Sequence, residues 1–309
     1  MLAVDVIIRQ SVHSEVALIN TIGNHIVDGG GKRLRPALVL LSSGLFAPID
    51  AQQHQLAAIV EFIHTATLLH DDVVDESALR RGKSTANHIF GNAASVLVGD
   101  FLYSRAFQMM VKLQNMRVME ILSKTTNIIA EGEVLQLLSI NNADVTKQEY
   151  LKVIQFKTAK LFEAAAQLGA VISGASLADE LALAQYGMRL GTAFQLIDDV
   201  LDLTGDVGQI GKNLGDDLNE GKPTLPLLIA MNLGNANQAA TIRKAIQLGK
   251  LDELPAVLAA VKSTDALHQV KKLAQDEARL GMDAIAHLPD TAHKQALIDL
   301  AEFAVMRDF

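Results

Sequence analysis

Asp71-Asp72-Val73-Val74-Asp75 and Asp198-Asp199-Val200-Leu201-Asp202 repeat one pattern: two adjacent aspartates, with a third four residues after the first. On a helix, positions i and i+4 share a side, so Asp71 stands over Asp75 and Asp198 over Asp202. Like charges so placed destabilise an isolated helix by roughly a few tenths of a kcal/mol. The residues leading in are largely apolar, Phe62 to Leu69 before the first cluster and Ala193 to Ile197 before the second. The carboxylates therefore end buried helices, and burying several anions is costly unless cations sit among them. Mg²⁺ suits such groups, because it takes about one or two carboxylates together with phosphate oxygens. One cluster alone reads equally well as an acidic helix end in solvent. Two of them, each closing an apolar helix, argue for a metal-bridged phosphate site.

Basic groups at several points supply the complementary charge. Gly29-Gly30-Gly31-Lys32-Arg33-Leu34-Arg35-Pro36 is a glycine run opening a helix, where free N–H groups and the helix dipole favour an anion. Lys32 and Arg35 are spaced i and i+3, which predicts a shared direction. Arg80-Arg81-Gly82-Lys83 follows the first aspartate cluster, and Lys157-Thr158 falls mid-helix. Gly211-Lys212 and Gly221-Lys222-Pro223 bracket Asp216-Asp217 after the second cluster. His64 lies seven residues before Asp71, on the same helix face. Each of these has a plainer explanation: solvated loop charges, charge balance for the aspartates, a lysine extending to water, a structural histidine. Together they describe a pocket with more cations than one phosphate needs and enough for two diphosphates. Neither a Walker-type phosphate loop nor a dinucleotide glycine fingerprint is present in the sequence.

The elements that must position these groups are helices. Apolar residues recur at helical spacing nearly throughout, with no full-length period-2 strand, and about a dozen helices are predicted. The longer ones run roughly over 3–26, 33–46, 51–76, 92–113, 115–139, 147–173, 177–203 and 223–231. The 6 prolines sit at the breaks. A chain of 309 residues, 50% hydrophobic and 20% charged, has enough apolar surface for a large core. With only 4% aromatic residues and no Trp, that core is aliphatic, which suits helix-on-helix packing. No Gly-, Ser- or Pro-rich linker divides the sequence, so one domain over 1–309 is expected. A net charge of −8 without a Lys/Arg stripe speaks against nucleic acid as a partner. The absence of Cys excludes disulfides and thiolate metal sites and fits a reducing cytoplasm. Residues 1–20 carry Asp5, Arg9 and Glu15 within an amphipathic pattern, unlike a signal peptide. No apolar run reaches the roughly 18 residues of a membrane span; a product delivered to a membrane stays compatible with this.

At these residues the chain resembles the trans-isoprenyl (polyprenyl) diphosphate synthases, most of all the bacterial long-chain members of octaprenyl type. The resemblance runs from about Asn20 to the C-terminus. It rests on GGGKRLRP, EFIHTATLLHDDVVDES, RRGKSTAN, GNAASVLVGDFL, EGEVLQL, KTAKLFEAA, GTAFQLIDDVLD and GKNLGDDLNEGKPTLPLL. It implies an all-α, single-domain bundle around a deep central cavity, usually a homodimer. It implies a prenyltransferase that adds isopentenyl diphosphate to an allylic diphosphate, farnesyl by preference, in successive 1'-4 condensations. The product expected is octaprenyl diphosphate for a quinone side chain. By resemblance, isopentenyl diphosphate falls to Lys32, Arg35, His64 and Arg81. The allylic diphosphate falls to Arg80, Lys157, Thr158, Gln195, Lys212 and Lys222. Asp71 and Asp75 are assigned two Mg²⁺ and Asp198 a third, while Thr158 and Gln195 turn oxygen dipoles toward the carbocation.

Residues before Asp71 bear on product length. At positions i−4 and i−5 from Asp71 stand Thr67 and Ala66, both small; the resemblance implies that short-chain members tend to place bulky aromatics there. A deeper tunnel and a long product follow, with Met110 and Leu122 as candidate floor residues. The same small pair also suits close helix packing. The competing readings are a short-chain farnesyl or geranylgeranyl synthase, a terpene cyclase-like enzyme and a non-catalytic synthase subunit. The Lys32/Arg35 pair, Arg81 and two intact aspartate clusters argue against the last two.

Overall fold

The computed structural model describes residues 1–80, 82–204 and 214–307. It is helical almost throughout. In chain order the helices are α1 Leu2–Val12, α2 Ala17–Asp28, α3 Leu34–Gly44, α4 Ala51–Val74, α5 Ala86–Phe90, α6 Asn92–Lys112, α7 Met116–Ser139 and α8 Lys147–Ile154. A π-helical turn, Gln155–Ala159, joins α8 to α9 Lys160–Ile172. Then come α10 Leu177–Thr204, α11 Asp216–Asn219, α12 Leu225–Leu233, α13 Ala236–Leu248, α14 Leu254–Ser263, α15 Ala266–Ala284 and α16 Ala292–Met306. Among the described residues the strands are two short ones, β1 Leu79–Arg80 and β2 Lys83–Ser84, paired antiparallel.

The helices predicted over 51–76, 92–113, 115–139 and 177–203 match α4, α6, α7 and α10 closely. The span 3–26 does not hold as one helix; it breaks between α1 and α2. Ser14 Oγ accepts from Val16 N at 3.2 Å, and the Asn20 amide bonds both the N–H and the carbonyl of Ser14. Such polar side chains give the backbone partners that compete with helix hydrogen bonds. The entry to α4 has the opposite character. Asp50 and Gln53 close a capping box there, worth about 1 kcal/mol.

Two compact units emerge, and neither is continuous in sequence. The first comprises Met1–Thr126, Leu161–Gly187 and Ala284–Leu297. Its core is the long contact between α4 and α6, with α3 and α1 also on α4. Leu56, Ile59, Ile63, Leu69, Leu102 and Met110 are fully buried there. The second comprises Asn127–Lys160, Met188–Asp283 and Ile298–Phe309. Its aliphatic core includes Leu203, Leu218, Leu227, Ile242, Ile246 and Val257. At roughly 25 cal/mol per Å² of buried apolar surface, these side chains drive assembly of each unit. No helix among the described residues is long and apolar enough to cross a membrane.

Candidate active site

In the first unit, the apolar face of α4 buries the helix and carries its polar end to Asp71, Asp72 and Asp75. Asp75 is the residue that closes the helix, its N–H bonded to the Asp71 carbonyl at 2.8 Å. The C-terminal end of a helix carries the negative pole of its dipole, so carboxylates are disfavoured there twice over. Asp71 and Asp75 are half-buried on one side of the helix. Asp72 lies about 100° further round and is 1% exposed. Its carboxylate accepts from Arg80 Nε at 2.7 Å and Nη2 at 2.6 Å. The first cluster thus divides its work: the outer aspartates share a face suited to cations, and the middle one holds Arg80. Two of the five guanidinium donors of Arg80 are spent this way.

Arg35, on α3, donates from Nη1 to His64 Nε2 on α4 at 3.1 Å and lies over the Phe162 ring, 4.4 Å from its centroid. A guanidinium only donates, so His64 Nε2 is the acceptor nitrogen. Two residues assigned to isopentenyl diphosphate are therefore in contact. Lys32 is exposed and precedes the helix. Arg33 between them takes φ 48°, a left-handed conformation uncommon for a residue with a side chain. The helical-spacing ground for aligning Lys32 with Arg35 consequently does not apply; the turn at Arg33 sets the direction of Lys32. Arg33 is anchored to Glu61 on α4 and, at 3.6 Å, to Asp5 on α1. A cleft in this unit is walled by Arg33, Glu61, Thr65, Asp72, Arg80 and Lys83 among others.

In the second unit the sequence Lys157-Thr158 falls inside the π turn. Gly132 on α7 explains why that turn fits: a Cβ there would come within 2.6 Å of the Lys157 backbone nitrogen. The neighbouring Glu133 accepts from Lys157 Nζ at 2.6 Å. Thr158 Oγ1 donates to Gln195 Oε1 on α10 at 3.1 Å. Gln195 Nε2 donates to Asp199 Oδ1 at 2.9 Å, and Tyr150 of α8 donates its hydroxyl to Asp199 Oδ2 at 2.5 Å. Asp199 is 2% exposed. Burial away from water raises its pKa, and the negative charge of Asp217 adds to the rise. Burial likewise pushes the Tyr150 phenol well above its ordinary range, reinforced by Asp199.

Asp198 faces differently. Its side chain is 41% exposed, and one oxygen accepts from Arg307, just beyond α16. Arg307 also donates to the Phe194 carbonyl at 2.7 Å and covers the Phe194 ring at 3.7 Å. Asp202 carries a third carboxylate one turn on, where the Asp217 N–H approaches its side chain at 3.4 Å. Lys222 pairs with Glu220.

Of the residues singled out in the sequence, Arg81 and Lys212 lie outside the described residues. Ala66, Met110 and Leu122 are fully buried in the first unit; Thr67 is half-buried and donates to the His64 carbonyl at 2.7 Å. Sequence reasoning gave no role of their own to Arg33, Glu61, Glu133, Tyr150, Asp199 and Arg307. For Glu61 and Glu133 there was a signal, an acid set within an apolar helix next to a basic motif. For Arg307 the only signal was a lone cation after the apolar stretch of α16.

Among the described residues, no three His, Asp or Glu side chains gather closely enough to cage an ion by themselves. Carboxylate pairs one turn apart are instead the donor set that Mg²⁺ takes together with waters and substrate phosphates. An all-helical chain with carboxylate pairs at the ends of apolar helices, beside ordered Arg and Lys, has the groups that a metal-dependent enzyme acting on diphosphates needs. The sequence matches the polyprenyl synthetase family over residues 16–263. It is 52% identical to octaprenyl diphosphate synthase of Escherichia coli (strain K12) over 309 residues, covering 100% of this chain and 96% of that protein. It is 50% identical over 303 residues to octaprenyl diphosphate synthase of Haemophilus influenzae, covering 98% of this chain and 92% of that one. The structure is similar to a polyprenyl synthase from Caulobacter crescentus complexed with calcium and isoprenyl diphosphate. That similarity has a TM-score of 0.97 and 44% identity, covering 100% of this chain and 95% of that one. The chain belongs to the polyprenyl synthetase family, whose members are in general magnesium-dependent. Its activity is that of a prenyltransferase making trans-polyprenyl diphosphates.

Proposed function

We propose that the protein extends farnesyl diphosphate by successive 1'-4 additions of isopentenyl diphosphate, to octaprenyl diphosphate for a quinone side chain. The carrying observation is the pair of aspartate clusters, each ending an apolar helix beside basic residues; the octaprenyl relatives support the product length. Asp71 and Asp75 are assigned two Mg²⁺ ions and Asp198 a third. When bound, the metal neutralises charge growing on the leaving diphosphate, so that the allylic C–O bond can ionise. Arg80, Lys157, Lys212 and Lys222 take up the rest of that charge. Lys32, Arg35, His64 and Arg81 hold isopentenyl diphosphate. The C–O electron pair leaves with the diphosphate, and the isopentenyl double bond forms the new C–C bond. The proton then lost passes to the departed diphosphate. Thr158 and Gln195 present oxygen dipoles to the cation, and apolar walls keep water from it.

The chain works as a single functional domain on this reading, since the family match draws on both compact units. It acts as a homodimer, for which the exposed Val96 and Leu97 of α6 offer apolar surface. Its substrates are polar diphosphates made and used in the cytoplasm. The test is incubation of the purified chain with farnesyl diphosphate, isopentenyl diphosphate and Mg²⁺, followed by sizing of the products. A long prenyl diphosphate that needs isopentenyl diphosphate and disappears with EDTA is expected. Products of only three or four units would replace this reading with a short-chain synthase, and turnover without isopentenyl diphosphate with a cyclase. Light scattering of the same sample reports the dimer.

A further inference from the structure

We infer that Tyr150 is a positioning residue for the condensation, acting through Asp199 to fix which face of the Gln195 amide meets the reacting groups. The inference rests on the prenyl-transfer reading above and assigns roles that the aspartate pattern alone does not.

The second cluster is split by helix geometry. Asp198 and Asp202 share one side of α10, whereas Asp199 lies about 100° away and shares its side with Gln195, one turn earlier. Both Asp199 oxygens are engaged, Oδ2 by the Tyr150 hydroxyl at 2.5 Å and Oδ1 by Gln195 Nε2 at 2.9 Å. A buried carboxylate spent on two donors is placed to orient its neighbours. Asp199 Oδ1 is the acceptor in this pair, so the NH₂ end of the Gln195 amide is the one turned to Asp199. The carbonyl end then meets Thr158 Oγ1, at 3.1 Å. Reversal of the amide would present N–H donors where a cation needs an oxygen dipole.

The π turn lets one helical run supply both ends of this chain of bonds. Tyr150 and Thr158 are eight residues apart, and plain α-helix would turn about 800° between them, some 80° off a common face. The residue absorbed by the π turn at Gln155–Ala159 takes up that excess and returns both side chains toward α10. Tyr150 is itself set by α8, whose start is fixed by the Thr146–Glu149 capping box.

The test compares wild type with Tyr150→Phe, Asp199→Asn, their double variant and Asp198→Asn, measuring kcat, the KM for isopentenyl diphosphate, the Mg²⁺ half-saturation point and the melting temperature. Tyr150→Phe should lower kcat about 10- to 100-fold, as loss of an orienting partner typically does, with KM and Mg²⁺ half-saturation little changed. Asp199→Asn should lower kcat as much or more. The double variant should be no slower than Asp199→Asn, because both substitutions act through one carboxylate. Asp198→Asn alone should shift the Mg²⁺ requirement. If Asp199→Asn does not fold, Gln195→Ala replaces it in the cycle. Normal kcat in a folded Tyr150→Phe, additive losses, or a Mg²⁺ shift with Asp199→Asn equal to that of Asp198→Asn would each overturn the inference. An inactive wild type would instead overturn the function itself, and the inference with it.

Discussion

At the scale of single residues, each acid cluster assigns different tasks to neighbouring aspartates. Asp71 and Asp198 are proposed Mg²⁺ ligands; on that proposal, replacing either with Ala should cut turnover by orders of magnitude without loss of fold. Turnover assays with circular dichroism check this, and near-normal activity in either variant would remove the metal assignment. Arg307 holds one oxygen of Asp198 and packs on Phe194 while only 8% exposed. Arg307→Ala should raise the Mg²⁺ concentration for half-maximal turnover about 10-fold, since the partner that orients the proposed ligand Asp198 is lost. A magnesium titration reads this directly, and an unchanged titration curve would sink it. The outer aspartates were legible in the sequence because i, i+4 spacing is a local property. The partners these aspartates find were not: Tyr150 reaches the middle Asp199 from another helix, and Arg307 reaches the outer Asp198 from far along the chain. Only folding decides such pairings.

At the scale of elements, the candidate site draws on helix ends. Long, strongly periodic helices such as α4 and α10 were evident from their apolar spacing. The break between α1 and α2 and the π turn after α8 were not, because both arise from a few polar contacts or from a neighbouring backbone. Gly132→Ala tests the second of these. Its Cβ would meet the Lys157 nitrogen at 2.6 Å, so α7 and the π turn must part. Overpacking of this kind costs about 1–3 kcal/mol, and kcat should fall with it because Lys157 and Thr158 move. Thermal denaturation alongside turnover measures both; a variant as stable as wild type would show that the contact relaxes freely. Ala66 on α4 is fully buried. On the proposed tunnel path, Ala66→Tyr should shorten the product, visible by chromatography, and unchanged length would exclude that path.

At the scale of the whole molecule, the all-helical class followed from composition and periodicity, yet the partition into two discontinuous units did not. Contacts between segments far apart in the chain decide it, and periodicity is silent on those. One consequence concerns biosynthesis. The first unit needs residues 284–297 to be complete, and the second needs the stretch that begins at 298. During synthesis, α3 and the rest of the first unit therefore emerge before residues 284–297 exist, so Gly44 of α3 still lacks the His293 ring that packs against it. Neither unit can be cut out as one contiguous fragment, and truncation from the C-terminal side should expose both cores at once.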